Sequence, residues 1–232
     1  MRYAVIAPGG AEGRLLTVAP AAGGLAVTEE AAPPALLATV REAGFTRGAV
    51  ILDTSADPLS ADSVDDPVAQ LTYAGPAADA LHAEHAARGL VDDRAPTRAQ
   101  GQITIQAPPE RVFAVLADVE TWPAIRADIS DAHAEGPAAP GVRFTWRGGA
   151  NLFTSRWGIV TPGERLTWTS VVPGARAAHV YDFTPDGAGG TLLRCRESLA
   201  APVLARFISS AVLQAGVDSW LAGVKAVAET AT

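Results

Sequence analysis

The alternation of apolar and polar positions changes character near residue 102, and the two sides predict different elements. Gln102–Gln106 alternates with a period of two, the mark of a half-buried strand. Pro108 and Pro109 then open a helix. Its apolar face is Val112, Phe113, Leu116 and Val119, and Trp122-Pro123 ends it. Ile125–Ile129 predicts a short second helix. Strands follow at Ile129–Ala134, Val142–Arg147, Asn151–Val160, Arg165–Val172, Ala177–Thr184 and Thr191–Ser198, parted by Gly- and Pro-rich turns. Turns this short join antiparallel neighbours. Ala201–Glu229 predicts a long closing helix, with Leu204, Phe207, Ile208, Ala211, Val212, Ala215, Leu221 and Val224 on its apolar side.

Before residue 102 the pattern is that of a small α/β unit, residues 1–90. Tyr3–Ala7 is a strand, and Arg14–Val18 and Gly24–Thr28 form a hairpin across Pro-Ala-Ala-Gly-Gly. Pro34–Ala43 is helical, with Pro34 in its first turn and Gly44 after its end. The continuous apolar run Ala49–Asp53 predicts a buried strand. Ser55–Asp66 is a loop, and Pro76–Leu90 a second helix. The polar segment Val91–Gly101 is the expected boundary between this unit and a second domain, 102–230.

Composition narrows the function. A net charge of −7 over 232 residues lacks the basic face that a nucleic-acid partner needs. No run of about 20 apolar residues spans a membrane. The N-terminus carries no signal-peptide pattern, so a cytoplasmic location is expected. Cys195 is the single cysteine, which leaves no disulfide framework and no thiolate metal cluster. Heavy use of Ala, with Lys225 the one lysine, suggests a GC-rich bacterial genome. Pro8-Gly9-Gly10 lacks the rest of a phosphate-loop signature. His82 and His85 lack further metal ligands, and Asp62, Asp65 and Asp66 lack the Gly and Glu of a calcium loop.

Four phrases occur in order: APPERVFAVLADVETWP at 107–123, TPGERLTW at 161–168, GARAAHVYDF at 174–183 and GGTLLRCRES at 189–198. This stretch resembles the helix-grip, START-like (SRPBCC) superfamily that includes the major birch pollen allergen, and in particular its polyketide cyclase/dehydrase branch. The resemblance covers roughly the last 60% of the chain and leaves residues 1–90 aside. It implies an α+β fold in which an antiparallel sheet wraps a long C-terminal helix and encloses a cavity for a hydrophobic or aromatic small molecule. It further implies either cofactor-independent cyclisation and dehydration of a polyketide-like intermediate, or non-catalytic binding and carriage. An accessory role, with residues 1–90 as a homodimerisation or docking module, is the third reading.

Aldol closure needs a base for a proton α to a carbonyl, donors for the enolate oxygen and walls that restrict the chain; it needs no metal or redox cofactor. His179 is the natural base, because imidazole titrates near neutrality. Tyr181 lies on the same strand face as a donor, and Glu197 on the next strand could orient His179 or act as a base. Arg143 and Arg156 could hold a carbonyl or carboxylate. Trp146, Trp157, Trp168, Phe183 and Phe207 are the expected apolar wall. Against these stand plainer roles: a packed tyrosine, core tryptophans, solvated arginines and an exterior Glu197 paired with Arg194 or Arg196. A one-residue change of register would move every candidate to the other face.

Overall fold

A computed structural model describes residues 2–6, 13–21, 24–42, 48–51, 84, 86–93, 95, 97–201 and 208–230. The loop read at Ser55–Asp66 and most of the helix read at Pro76–Leu90 lie outside them, as does Phe207.

The N-terminal unit contains β1 (Arg2–Ile6), β2 (Gly13–Ala21), β3 (Gly24–Ala31), α1 (Pro34–Glu42) and β4 (Gly48–Ile51). Its strands form one antiparallel sheet in the order β3-β2-β1-β4. Strand alternation gives this sheet two apolar faces. Ala4 and Ile6 pack with Leu37 and Val40 of α1. Val5, Leu16, Val18 and Val27 point the other way.

The second sheet has seven antiparallel strands in the order β5-β11-β10-β9-β8-β7-β6. They are β5 (Thr97–Ile105), β6 (Ile129–Ala134), β7 (Arg143–Gly148), β8 (Asn151–Thr161), β9 (Arg165–Val172), β10 (Ala175–Pro185) and β11 (Thr191–Ala200). Between β5 and β6 run α2 (Pro109–Ala117), a 3-10 turn at Val119–Thr121 and the four-residue helix α3 (Trp122–Ile125). The chain closes with α4 (Ser210–Glu229), packed across the concave face on β5, α2 and α3. This is the helix-grip architecture.

Three element boundaries differ from the sequence reading. β5 starts at Thr97 rather than Gln102, because its first residues pair with the end of β11 (Thr97 opposite Leu199, Ala99 opposite Glu197). Half of the segment read as linker is therefore sheet. The second short helix spans Trp122–Ile125, since Pro123 starts rather than follows it and Arg126 is already extended. α4 begins at Ser210, not Ala201. Ser209 is extended and its hydroxyl accepts from the Val212 N–H, a cap that sets the first turn.

Close approach fixes how α4 lies. A Cβ on Gly101 would fall 2.8 Å from Leu221, and one on Gly223 would meet the Ile125 carbonyl. Both glycines let backbone pass where a side chain would hold it off.

The two sheets share a core. Val5, Leu16, Val18 and Val27 pack on Ala175, Ala177, Leu199 and Ala201, the concave face of the large sheet beyond the start of α4. At the rim the Glu29 carboxylate accepts from the Gly174 N–H at 2.9 Å and contacts Arg14 at 3.4 Å and Arg176 at 3.5 Å. Arg176 is only 3% exposed. Glu29→Ala removes an acceptor shared by the Gly174 N–H, Arg14 and Arg176, so a loss of about 2 kcal/mol is expected. Urea unfolding should show it, whereas a shift below about 1 kcal/mol would mark the pair as a solvated surface contact.

Candidate functional site

A core of aromatic residues fills the space between sheet and α4, and all five tryptophans belong to it. Trp122, on α3, is its centre. Its ring centroid lies 5.2–5.8 Å from those of Phe144, Trp146, Trp168 and Trp220. Its indole N–H donates to the Leu116 carbonyl at 3.1 Å, so the ring is anchored as well as packed. Trp146 donates to Ser155, whose hydroxyl is 2.8 Å from that of Ser170, a small buried polar network beneath the ring.

The core leaves a cavity of about 100 Å³. His179, Tyr181 and Glu197 border it, with Trp146 and Trp168, so five of the sequence candidates converge here. Register explains the convergence. His179 sits directly opposite Glu197 across β10 and β11, and opposite Trp168 across β9 and β10. Tyr181, two residues on, shares their face. Trp168 stacks on both, with centroids 4.7 Å from His179 and 4.9 Å from Tyr181.

The remaining candidates lie elsewhere. Trp157 stacks on Phe144 at 4.4 Å, and Phe183 packs on Phe113 at 5.6 Å. Both are buried in the core away from the cavity. Arg143 and Arg156 face each other across β7 and β8 and are exposed. They occupy the opposite strand phase to Phe144, Trp146 and Trp157, so they cannot reach the cavity. Phe207 lies outside the described residues.

Sequence reasoning missed Trp122, Arg126, Ile129, Leu213, Gly216, Val217 and Trp220, which complete the lining. Trp122 was read only as a helix stop. Leu213, Gly216, Val217 and Trp220 form an i, i+3, i+4, i+7 stripe on α4, a signal that was available. Arg126 carries no local signal. It enters the wall because α3 ends one residue before it, and its Nε is held by Asp128 at 2.6 Å.

The polar chemistry is concentrated on one wall. His179 Nδ1 lies 3.5 Å from Glu197 Oε2, with both side chains largely buried. The other imidazole nitrogen, Nε2, is buried and has no hydrogen-bond partner among the described residues. The indole nitrogens of Trp168 and Trp220 are also buried, with no hydrogen-bond partner among the described residues. Unpartnered buried polar groups are costly and call for a functional reason. Glu197 also borders a second hollow of about 320 Å³, shared with Arg98, Gln100, Arg196 and Gln214. The carboxylate thus stands between the aromatic cavity and a polar, outward-facing recess.

Burial pushes the Tyr181 phenol well above its ordinary value, with Cys195 and Glu197 adding to the effect and the Arg126 charge opposing it. Burial likewise pushes the Cys195 thiol up, with Glu197 adding to it. Tyr181 therefore remains a proton-bearing donor through neutral pH. The linkage has a definite sign. Above pH about 9–10 the unfolded chain releases these two protons while the folded chain retains them, so stability falls as pH rises. Thermal melts of wild type and Tyr181→Phe between pH 7 and 11 should converge at the alkaline end. Parallel profiles would contradict the burial argument.

Among the described residues, no group of three or more His, Cys, Asp or Glu side chains is arranged to hold a metal, and no helix is long and apolar enough to cross a membrane.

Among curated proteins no sequence matches this chain. Solved structures do match in fold. A hypothetical protein of Helicobacter pylori aligns with a TM-score of 0.52 at 16% identity, covering 59% of this chain and 90% of that one. A Chromobacterium violaceum protein aligns at 0.49 and 17% identity, covering 59% and 99%. The Zhui aromatase/cyclase from a Streptomyces species aligns at 0.48 and 21% identity, covering 57% and 93%. Each of these structures covers less than two thirds of this chain. The family model described as polyketide cyclase / dehydrase and lipid transport matches residues 96–229, more than half the chain, and the chain belongs to that family.

Proposed function

We propose that the protein is a cyclase/dehydratase acting on a polyketide-like hydrophobic intermediate held in the cavity between β10, β11 and α4. The observation that carries this reading is the pairing of His179 with Glu197 on the wall of an otherwise aromatic cavity. A carrier gains nothing from placing an imidazole, a carboxylate and a phenol around one small hollow, because each costs desolvation.

In this reading His179 removes the proton α to a carbonyl. Glu197 holds the imidazole and stabilises the imidazolium that forms, as a carboxylate beside a histidine does elsewhere. Tyr181, kept protonated by burial, and Arg126 donate to the enolate oxygen as charge develops there. The enolate carbon attacks a second carbonyl of the chain and closes the ring, and the imidazolium returns its proton to the alkoxide so formed. His179 then takes a second α proton and delivers it to that hydroxyl, which leaves as water while the C=C bond forms. Trp122, Trp146, Trp168 and Trp220 exclude water and limit the conformers of the bound chain.

Carriage of a hydrophobic small molecule is the second reading. It is favoured by the length of the Nδ1–Oε2 contact, 3.5 Å, which is longer than an ordinary hydrogen bond. The deciding experiment is native mass spectrometry of the protein from its own host, with identification of any retained compound. The cyclase reading expects a cyclised product that is lost in a His179→Phe strain. A compound retained and formed equally in both strains would leave the carrier.

A further inference from the structure

α4 holds two glycines in unlike surroundings. Gly223 meets the Ile125 carbonyl, and that close approach accounts for it. A Cβ on Gly216 would meet no described residue within 4 Å. Glycine inside a helix destabilises it relative to alanine, so a position with free space around it is unexplained by packing.

Gly216 borders the aromatic cavity, and the burial of its neighbours shows which side is open. Along the α4 stripe Val217 and Trp220 are buried, while Leu213 and Gly216 are half-buried. Elsewhere in the wall Trp122, Ile129 and Trp146 are buried, while the Arg126 side chain is 32% exposed. Leu213 also packs on the cluster that joins the two sheets, which closes the wall on its side. Among the described lining residues Glu197 gives onto the polar recess, and the remaining partly exposed members are Arg126 and Gly216, the side we take as the route to solvent.

Volume sets the second limit. A dry cavity of roughly 150 Å³ accommodates one benzene; this one, at about 100 Å³, is smaller, so a single ring enters only with part of it standing in the opening. A fused bicyclic body does not fit without moving the tryptophans, whose mutual packing resists it. The buried indole nitrogens of Trp168 and Trp220 suit a head group that carries an acceptor oxygen.

We propose that Gly216 is the aperture of the site and sets its specificity: the ligand seats one oxygen-bearing ring among the tryptophans, and the rest of the molecule leaves across Gly216. This rests on the reading that the aromatic cavity is the ligand site. It narrows the substrate class to molecules with a single-ring head and a flexible tail, handled one ring at a time. Glycine serves here because any larger side chain would occupy the tail's exit.

The test is calorimetric titration of the full chain with phenol, 4-hexylphenol and 2-naphthol. Wild type is expected to bind the first two and to bind 2-naphthol at least about tenfold more weakly than 4-hexylphenol, because the fused ring overpacks the cavity. Gly216→Phe is expected to keep phenol binding within about threefold and to lose 4-hexylphenol binding by about tenfold or more, as the exit fills. Gly216→Leu provides the same test should the Phe variant melt early. Ala222→Phe, on the exposed face of the same helix, is expected to match wild type. Undiminished 4-hexylphenol binding in both Gly216 variants would overturn the proposal. So would 2-naphthol binding to wild type as tightly as 4-hexylphenol, or no phenol binding at all. Binding is read here rather than turnover. If His179→Phe leaves product formation intact, the acid–base reading fails while the aperture stands. If the Gly216 variants bind 4-hexylphenol like wild type, the aperture fails alone.

Discussion

His179→Phe is expected to lower kcat for cyclisation by about 10²–10⁴-fold, the usual contribution of a positioned general base. Phenylalanine is the informative replacement. The imidazole is 8% exposed and stacked on Trp168, so alanine would leave a void and confuse loss of packing with loss of chemistry. A phenyl ring keeps the stack and removes both nitrogens. KM should change little, because the nitrogens would act mainly in the transition state. Glu197→Gln should give a smaller loss, since the amide retains the shape and can still contact Nδ1 without a charge to stabilise the imidazolium. The measurement is single-turnover formation of cyclised product, followed by mass spectrometry, once the linear precursor is in hand. An unchanged rate in His179→Phe would reduce the residue to a packing element and return the protein to the carrier reading.

Trp122→Ala is expected to destabilise the protein by about 3–5 kcal/mol, the range for removing a large aromatic side chain from a packed core. Trp122 is 1% exposed, touches four other aromatic rings and satisfies the Leu116 carbonyl. Its removal deletes the contact through which α3 holds the sheet and α4 together. A fall in Tm on the order of 10 °C should follow for a domain of this size. Trp122→Phe keeps the ring contacts in part and should cost less than half as much. Thermal denaturation followed by circular dichroism measures both. A Tm change in Trp122→Ala of only a degree or two would show that the core repacks around the loss and that the cavity walls are adaptable.

Much of the helix-grip part was legible in local pattern. Period-two alternation marked the strands from Gln102 to Ser198, and the turn residues marked their antiparallel order. Alternation also placed His179 and Tyr181 on one face and Glu197 with Cys195 on the next strand. The boundaries that were misplaced share a cause. Thr97–Gly101 reads as polar linker because an edge strand presents few apolar residues, and only pairing with β11 reveals it as sheet. The start of α4 was placed at Ala201 because the apolar spacing runs through Ile208; the Ser209 cap, a single hydroxyl, decides otherwise.

The sequence by itself determined the succession of elements, their antiparallel pairing and the set of side chains able to perform acid–base chemistry. Those properties depend on short-range spacing, which the chain carries locally. The tertiary structure alone decided which candidates meet. Register across β9, β10 and β11 brought His179, Glu197 and Trp168 together, and strand phase sent Arg143 and Arg156 to the opposite face. Trp122, Arg126 and Gly216 come to the cavity from α3, its C-terminal end and α4, segments separated by about a hundred residues in the chain. The packing of the N-terminal sheet on Ala175, Ala177 and Leu199 is of the same kind. A small residue at such a position carries no trace in sequence of the surface that will cover it, because burial is a property of the assembled faces.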